Sequence, residues 1–153
     1  MSQHLTISPA EAADRLAIRE LVEAYAHCAD GRDAKSQMAL FTADTHLVVH
    51  MNAKDPKPSQ ELNCQRRWLQ FCRSEQVRSD HALPWTKYNP HAVQRPSHGE
   101  TYCMPHHLSV DGNKRRLMIA ALRYYDTFVK QDGAWRFAER LLYVDWIEER
   151  PLS

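Results

Sequence analysis

An α+β domain is the fold class that this sequence of 153 residues predicts. Apolar residues recur at helical spacing in the first third of the chain, and two Asp-Gly pairs separate long β-rich runs in the last third. The chain is 43% hydrophobic and 25% charged, as in a globular domain that buries about 68–70% of its unfolded surface. We therefore expect one domain over residues 1–153, large enough to enclose a ligand cavity.

The first predicted element is a long helix that begins after Ser8. Ser8-Pro9-Ala10-Glu11 has the spacing of a capping box, with proline at the first helical position. Gly31 is a natural stop, and Asp33 can cap a second, shorter helix. The apolar face of the long helix runs through about Ala29 and contains Leu16, Ile18, Leu21, Val22, Tyr25 and Cys28.

Strands follow the helices. Leu47-Val48-Val49 indicates a short strand, and the Asp111-Gly112 and Asp132-Gly133 turns predict a three-stranded antiparallel meander. Its strands span about 99–110, 115–129 and 134–147, and the last two are long enough to curl.

The overall charge excludes several classes of partner. Twenty basic and nineteen acidic side chains leave a formal net charge of +1, so we expect no nucleic-acid partner and no membrane partner. No apolar run approaches 18 residues, and the first residues lack the pattern of a signal peptide, so we expect a cytoplasmic protein. The four cysteines are scattered without zinc-type spacing, which argues against a disulfide scaffold.

The middle of the chain differs from both ends. Residues 64–98 contain six Lys or Arg and two acids, hence +4, which leaves about −3 for the rest of the chain. Two of the four tryptophans and three of the eight prolines also lie in these residues. The segment shows neither a helical nor a strand period beyond one or two possible turns at 65–72.

Both ends resemble SnoaL-like proteins of the nuclear transport factor two superfamily. The first helix with Tyr25, Cys28-Ala29-Asp30 and Asp33, followed by Leu40-Phe41-Thr42-Ala43-Asp44, is similar to the opening of that family. Arg123-Tyr124-Tyr125-Asp126, the Asp132-Gly133 turn and residues 135–140 with Asp145-Trp146 resemble its two closing strands. The resemblance covers about 9–62 and 99–150 and leaves out the atypical 64–98.

The resemblance implies a cone-shaped barrel, in which a curved antiparallel sheet packs on the N-terminal helices around an apolar pocket. Enzymes of this fold remove a proton next to an activating group and need no metal or organic cofactor. Membership implies a cofactor-independent lyase or isomerase, similar to a dehydratase or polyketide cyclase, acting on a hydrophobic small molecule. Because fold does not fix function, two alternatives stay open: a non-catalytic ligand-binding or dimerisation module, and a structural subunit like the small subunit of ring-hydroxylating dioxygenases.

The resemblance also nominates catalytic residues. Asp30, just after the first helix, and His81 are the implied acid/base pair, and Tyr25 would polarise the substrate. A carboxylate facing an apolar cavity has a raised pKa, and a neighbouring histidinium restores its charge, so such a pair can share a proton near neutral pH. Alternatively, Asp30 caps the following turn or forms a salt bridge there, and Tyr25 is a core residue. His81 would then lie in an irregular surface loop, since two prolines follow it within 83–90.

We expect four further residues to contact the substrate: His107, Arg140, Tyr125 and Trp146. His106 and His107 are adjacent, so on a strand only one of them faces the cavity. Arg140 is the implied pocket cation, and a surface ion pair with Glu139 or Asp126 is its alternative role. Cys103 and His106 point to opposite faces with no further ligand pattern, so we expect no metal site.

The atypical middle suggests a hypothesis about the gene. Residues 70–83, back-translated with permitted codons and read two bases later, can give Ser-Phe-Ala-Asp-Leu-Asn-Arg-Tyr-Asp-Leu-Thr-Thr-His, which resembles a helix end and strand of the family. The segment would then be an out-of-frame copy flanked by compensating shifts. Sequencing the gene tests this, because codons that cannot encode that peptide would rule out the hypothesis.

We also expect a homo-oligomer, a dimer or higher, as is common in this fold.

Overall fold

The predicted α+β class is confirmed by a computed structural model, which describes residues 7–63, 78–89 and 96–152, and for 78–89 the backbone. Two helices and six strands make up the described part of the chain. They are α1 (Pro9–Asp30), α2 (Ala34–Ala39), β1 (Phe41–His50), β2 (Gln60–Asn63), β3 (Arg78–Asn89), β4 (Ser97–Asp111), β5 (Lys114–Gln131) and β6 (Ala134–Leu152).

Helix α1 begins as predicted but with half of the capping box. The Ser8 hydroxyl accepts a hydrogen bond from the Glu11 backbone N–H at 3.2 Å. The Glu11 carboxylate forms an ion pair with Arg15 at 2.7 Å, one helical turn further on. The cap therefore satisfies a backbone donor, and the glutamate stabilises the first turn through a side-chain pair.

The end of α1 places Tyr25 and Asp30 on one continuous helix. Gly31 ends the helix as expected, its N–H bonding to the carbonyl oxygen of a residue in the last turn, but its φ is −74° and thus right-handed. Arg32 takes the left-handed conformation instead, with φ 54°. Asp33 then caps α2 as predicted, accepting from the backbone N–H of Ser36 at 3.0 Å.

The six strands form one open, curved sheet in the order β2-β1-β6-β5-β4-β3. Strands β4, β5 and β6 form the predicted antiparallel meander, and each is longer than the sequence indicated. Neighbouring strands are antiparallel except for β1 and β6, which pair in parallel. The helix α1 packs against one side of the sheet, which we call the concave face, and leaves the convex face on the other side.

Two irregularities between β5 and β6 decide which side chains reach the concave face. Phe128 pairs with Phe137, but the register then shifts by one, so that Thr127 pairs with Glu139 and Asp126 with Arg140. The extra residue is Ala138, whose carbonyl oxygen accepts from the Thr45 hydroxyl at 3.1 Å. A one-residue bulge exchanges the faces of all later side chains, so Arg140 points toward α1.

The hydrophobic core lies between α1 and the concave face. Leu21, Val22 and Ile18 of α1 are buried against residues of α2, β1, β2, β5 and β6, including Phe41 and Phe137. A second cluster lies further along β4, β5 and β6 and contains Cys103, Ala120, Leu122, Tyr124 and Val144. At about 25 cal/mol per Å² of buried apolar area, such packing is the main stabilising contribution to the fold.

His81 lies in β3, so its backbone is part of a strand and not of an irregular loop. Its register partner is Pro105 on β4. The ladder between β3 and β4 is irregular between Ala82 and Trp85, where Pro84 cannot donate a backbone hydrogen bond. Residues 64–77 and 90–95 lie outside the described residues, so the reading-frame hypothesis for 70–83 stays untested.

In the described residues, no helix is both long enough and apolar enough to cross a membrane.

Candidate functional site

A cavity opens between α1 and the middle strands of the sheet. The space between them is about 300 Å³ when its open mouth is counted. Helix α1 contributes side chains at helical spacing, and β4, β5 and β6 contribute the opposite wall. The lining residues are Val22, Tyr25, Ala26, Thr101, Cys103, Tyr124 and Arg140.

Arg140, which lines the cavity, belongs to a buried ion pair. Arg140 donates from Nε and Nη2 to the two carboxylate oxygens of Asp126, at 2.7 and 2.8 Å. Both side chains are almost fully buried, at 1% and 0% exposed. Burial alone would lower the pKa of the Arg140 guanidinium, but the Asp126 carboxylate outweighs this effect and raises that pKa. Arg140 therefore stays charged at any pH at which the protein folds.

Aromatic rings hold the guanidinium in place. The Arg140 Cζ atom lies 4.0 Å from the ring centre of Tyr25, 4.4 Å from that of Tyr124 and 4.3 Å from that of Phe137. Each ring face attracts the cation, by about 0.5–2 kcal/mol according to its desolvation. The cage fixes Arg140 in position, and it brings Tyr25 of α1 to the same group as β5 and β6.

Two buried polar atoms of the lining have no hydrogen-bond partner within the described residues. They are Nη1 of Arg140 and Oγ1 of Thr101, and the Thr101 residue is 2% exposed. Leaving a buried polar group unpaired costs about 1–3 kcal/mol, and more when the group is charged. Two residues of the lining therefore carry hydrogen-bonding capacity that no other described residue uses.

Two further polar groups of the lining, the Cys103 thiol and the Tyr124 hydroxyl, stay protonated at neutral pH. Burial raises the pKa of the Cys103 thiol to about 11, with a smaller contribution from the charge of Asp30 and an opposing one from Arg140. Burial also raises the pKa of the Tyr124 hydroxyl well above its usual range. The thiol is thus a poor nucleophile here, since the thiolate is the reactive form, and it acts as part of the wall.

The family model of the SnoaL-like domain matches residues 10–141, which is most of the chain. The chain belongs to the SnoaL-like family. No curated protein matches it. The match extends across the atypical segment 64–98.

Solved structures with the same fold include proteins of different activities. A proposed scytalone dehydratase from Novosphingobium aromaticivorans is 14% identical, with a TM-score of 0.71 and coverage of 96% of this chain and 94% of that one. A hexachlorocyclohexane dehydrochlorinase from Novosphingobium barchaimii is 15% identical, with a TM-score of 0.69 and coverage of 94% and 93%. The beta subunit of a proposed aromatic-ring-hydroxylating dioxygenase from Novosphingobium aromaticivorans is 19% identical, with a TM-score of 0.72 and coverage of 88% and 91%. At these identities the likeness concerns the fold.

In this SnoaL-like protein, two of the predicted site residues meet in the cavity. Tyr25 and Arg140 both line it, from α1 and β6 respectively. The predicted pairing of Arg140 with Asp126 also exists, but it is buried and not at the surface. Tyr25 is in edge contact with Phe41, Tyr124 and Phe137, at 5.9, 6.2 and 5.9 Å between ring centres. Tyr25 therefore both packs against the core and lines the cavity.

Asp30 lies at the last turn of α1 and is exposed. Because the helix continues through Asp30, its side chain leaves the axis about 140° from that of Tyr25, and Asp30 does not line the cavity. Its charge nevertheless contributes to the raised pKa of Cys103, which does line the cavity. The carboxylate is therefore close enough to the lining to influence it electrostatically.

The two histidines predicted for the site lie on β3 and β4. His107 is half-buried, and strand alternation places it on the concave face with Cys103 and the buried Pro105, but it does not line this cavity. His81 faces the same stretch of β4 through the pairing of its backbone with Pro105, and the structure describes the backbone of His81 and not its side chain.

Tyr125 and Trp146 lie on the convex face, away from the cavity. Tyr125 is 36% exposed, and its hydroxyl accepts from Arg123 at 3.0 Å. Trp146 is 47% exposed because a second register shift skips Asp145, so that Trp146 pairs with Ala121 on the outer side. Neither side chain can contact a ligand held in the cavity described above.

Five residues of the lining were not predicted from the sequence: Val22, Ala26, Thr101, Cys103 and Tyr124. Alternation from Cys103 would have placed Thr101 on the cavity face, and alternation along β5 would have separated Tyr124 from Tyr125. Within the described residues, no group of three His, Cys, Asp or Glu side chains is placed to hold a metal ion.

A polar network also crosses the convex face. His46 bonds through Nδ1 to Glu139 at 3.0 Å and through Nε2 to Glu61 at 2.8 Å. Glu139 also accepts from the Thr127 hydroxyl, which in turn contacts the ring of His98 at 3.2 Å. Bonds to Glu139 and then Glu61 raise the pKa of the His46 imidazole, so its charged form stabilises the folded state.

Replacing His46 is expected to have a pH-dependent effect on stability. A histidine whose folded pKa is raised stabilises fully below its unfolded pKa of about 6.5 and loses that effect as the pH rises through the folded pKa. His46→Gln should therefore reduce the free energy of unfolding more at pH 5.5 than at pH 8.5, as urea denaturation would measure. His106→Gln is the control, because that ring bonds to a backbone carbonyl at 3.0 Å. An equal loss at both pH values for His46→Gln would contradict the assignment.

Proposed function

We propose that this SnoaL-like protein is a cofactor-independent lyase or isomerase for small, largely apolar molecules, and that the substrate binds in the cavity between α1 and the sheet. One observation carries the proposal: the caged guanidinium of Arg140, with an N–H group that has no partner within the described residues, lines a mainly apolar cavity beside Tyr25. Donors fixed in a dry site stabilise negative charge that develops on a substrate oxygen.

The arrangement suits elimination or isomerisation next to a carbonyl group. A base removes the proton from the carbon beside the carbonyl, and the electron pair of the broken C–H bond moves onto the carbonyl oxygen. The resulting enolate oxygen is stabilised by Arg140, and Tyr25 lies against the same guanidinium. The electron pair then returns and either expels a leaving group from the next carbon, as in a lyase, or takes up a proton elsewhere, as in an isomerase.

Asp30 is the proposed base, with His81 as its partner. The electrostatic influence of Asp30 on Cys103 supports a position near the cavity, and the strand β3, on which His81 lies, packs against α1. A shared proton between a carboxylate and an imidazole gives a base that operates near neutral pH. The eliminations named for two structurally similar proteins, a proposed dehydratase and a dehydrochlorinase, support a lyase over other chemistries.

A non-catalytic ligand-binding module of the same fold is the second candidate. It is favoured by the exposure of Asp30 and by its absence from the cavity lining. The similarity to the beta subunit of a dioxygenase supports a related possibility, a structural subunit. Self-association stays a prediction, which sedimentation of the purified protein would test.

The two candidates differ in the effect of Asp30→Asn. We would screen 3-hydroxy- and 3-chloro-1-(2-naphthyl)propan-1-one, which lose water or HCl to give a vinyl ketone that absorbs in the ultraviolet. Asp30→Asn should lower the rate with any accepted substrate by about 10²–10⁴-fold, the usual contribution of a general base. Asp33→Asn is the matched control, since Asp33 caps α2 and should change the rate little. Turnover that survives in Asp30→Asn would rule out the proposed mechanism.

A further inference from the structure

Among the described residues, every polar side chain that lines the cavity is able to donate a hydrogen bond. These side chains are those of Arg140, Thr101, Cys103 and the two tyrosines, and each carries a hydrogen at neutral pH. Within the described residues, neither a carboxylate nor an imidazole lines this cavity. A ligand group that accepts hydrogen bonds is therefore the chemical complement of the lining.

Two of these groups lie on β4 and β6, the two strands that flank β5. Asp126 occupies Nε and Nη2 of Arg140, so the N–H groups of Nη1 are the ones left over. Thr101 lies on the far side of β5 from Arg140, with Tyr124 of β5 as its register partner. Both groups are on rigid, paired strands, and both line the cavity.

We propose that Arg140 Nη1 and Thr101 Oγ1 form a subsite for a carbonyl or carboxylate oxygen, and that Thr101 is a specificity-determining residue of the cavity. The inference rests on the proposed function only in taking this cavity as the substrate site. It adds the substrate class, which is a compact molecule with an apolar body and an acceptor oxygen. The apolar body would contact Val22 and Ala26 of α1, and the oxygen would lie on the sheet side of the cavity. A buried donor left unpaired disfavours a ligand that lacks this oxygen.

Matched probes test the requirement for oxygen in the wild-type protein. The ketone 2-acetonaphthone and the hydrocarbon 2-isopropylnaphthalene have nearly the same shape, and a methyl group replaces the oxygen in the second. Titration followed by tryptophan fluorescence or calorimetry should give at least about tenfold tighter binding of the ketone. A third probe, 2-naphthoate, distinguishes a charged from a neutral oxygen ligand. Equal affinities for all three probes, or no binding of any, would overturn the subsite.

Two variants of Thr101 separate its hydroxyl from its shape. Thr101→Val keeps the volume and removes the hydroxyl, and Thr101→Ser keeps the hydroxyl. Thr101→Val should weaken binding of 2-acetonaphthone by about five- to tenfold and leave 2-isopropylnaphthalene unchanged, while Thr101→Ser should restore most of the ketone affinity. If Thr101→Val weakened both probes equally, or neither, Thr101 would have a structural role and the proposal would be wrong.

Binding to Asp30→Asn distinguishes this inference from the proposed mechanism. The subsite involves no proton transfer, so Asp30→Asn should bind 2-acetonaphthone with wild-type affinity even though its turnover is lost. Preserved turnover in Asp30→Asn with the predicted probe selectivity would refute the mechanism and leave the subsite intact. If Thr101→Val lost its selectivity for the ketone without losing stability, and turnover still depended on Asp30, the results would support both the subsite and the mechanism.

Discussion

Asp126→Asn is expected to lower the free energy of unfolding by about 3–5 kcal/mol, the usual cost of leaving one member of a buried ion pair without its partner. Asparagine keeps the shape of the side chain but removes the negative charge beside Arg140, which is 1% exposed. The guanidinium then stays in the core without a counter-ion, and the aromatic rings around it replace only part of the lost attraction. Denaturation by urea at pH 7 measures the loss.

A second Asp–Arg pair provides the control for this prediction. Asp145 accepts from Arg123 at 2.8 and 2.6 Å between the same two strands, but on the convex face with side chains about 30% exposed. Because solvent screens that pair, Asp145→Asn should cost no more than about 1 kcal/mol. Similar losses in the two variants would show that burial does not give the Asp126 pair its importance.

The double variant Asp126→Leu/Arg140→Met should fold nearly as well as the wild type and yet lose its function. Replacing both members of a buried ion pair by apolar residues of similar volume is often neutral or stabilising, because no charge needs to be desolvated. The same change removes the donor proposed for the substrate oxygen, and the loss of one such donor lowers turnover by about 10²–10³-fold. Urea denaturation and the vinyl-ketone assay, run on the same preparation, measure the two effects.

The double variant thereby separates the two roles of the pair. If it were both stable and fully active, the pair would have only a structural role. If it were far less stable than Asp126→Asn, the buried charges would themselves be stabilising, contrary to the expectation from desolvation. The predicted combination of retained stability and lost activity would indicate that the pair is kept for the ligand.

The elements of this fold follow closely from the sequence where local chemistry determines them. Ser8 and Pro9 mark the start of α1, Asp33 caps α2, and the two Asp-Gly turns define the meander. These signals depend on residues within one or two turns of each other, so one sequence is sufficient to recognise them. The curved sheet and the pocket were predicted only from the resemblance to the family.

The set of residues that lines the candidate site depends on two bulges that no local sequence pattern predicts. Strict alternation from Phe137 would place Arg140 on the convex face, and the extra residue Ala138 turns it to the cavity. Strict alternation from Val144 would place Trp146 inside, and the extra residue Asp145 turns it out. A bulge depends on contacts with a neighbouring strand, here the bond from Thr45 of β1, and these contacts are distant in sequence.

Filling the cavity between α1 and the sheet shows whether the ligand binds there. Ala26 lines it, and Ala26→Leu adds three carbon atoms from the helix side, while Ala13→Leu adds the same atoms at an exposed position of the same helix. The measurement is the affinity of each variant for 2-acetonaphthone, after denaturation has shown that both are folded. We expect binding at least about tenfold weaker in Ala26→Leu and unchanged in Ala13→Leu. Wild-type affinity in a folded Ala26→Leu variant would show that the ligand does not bind in this cavity.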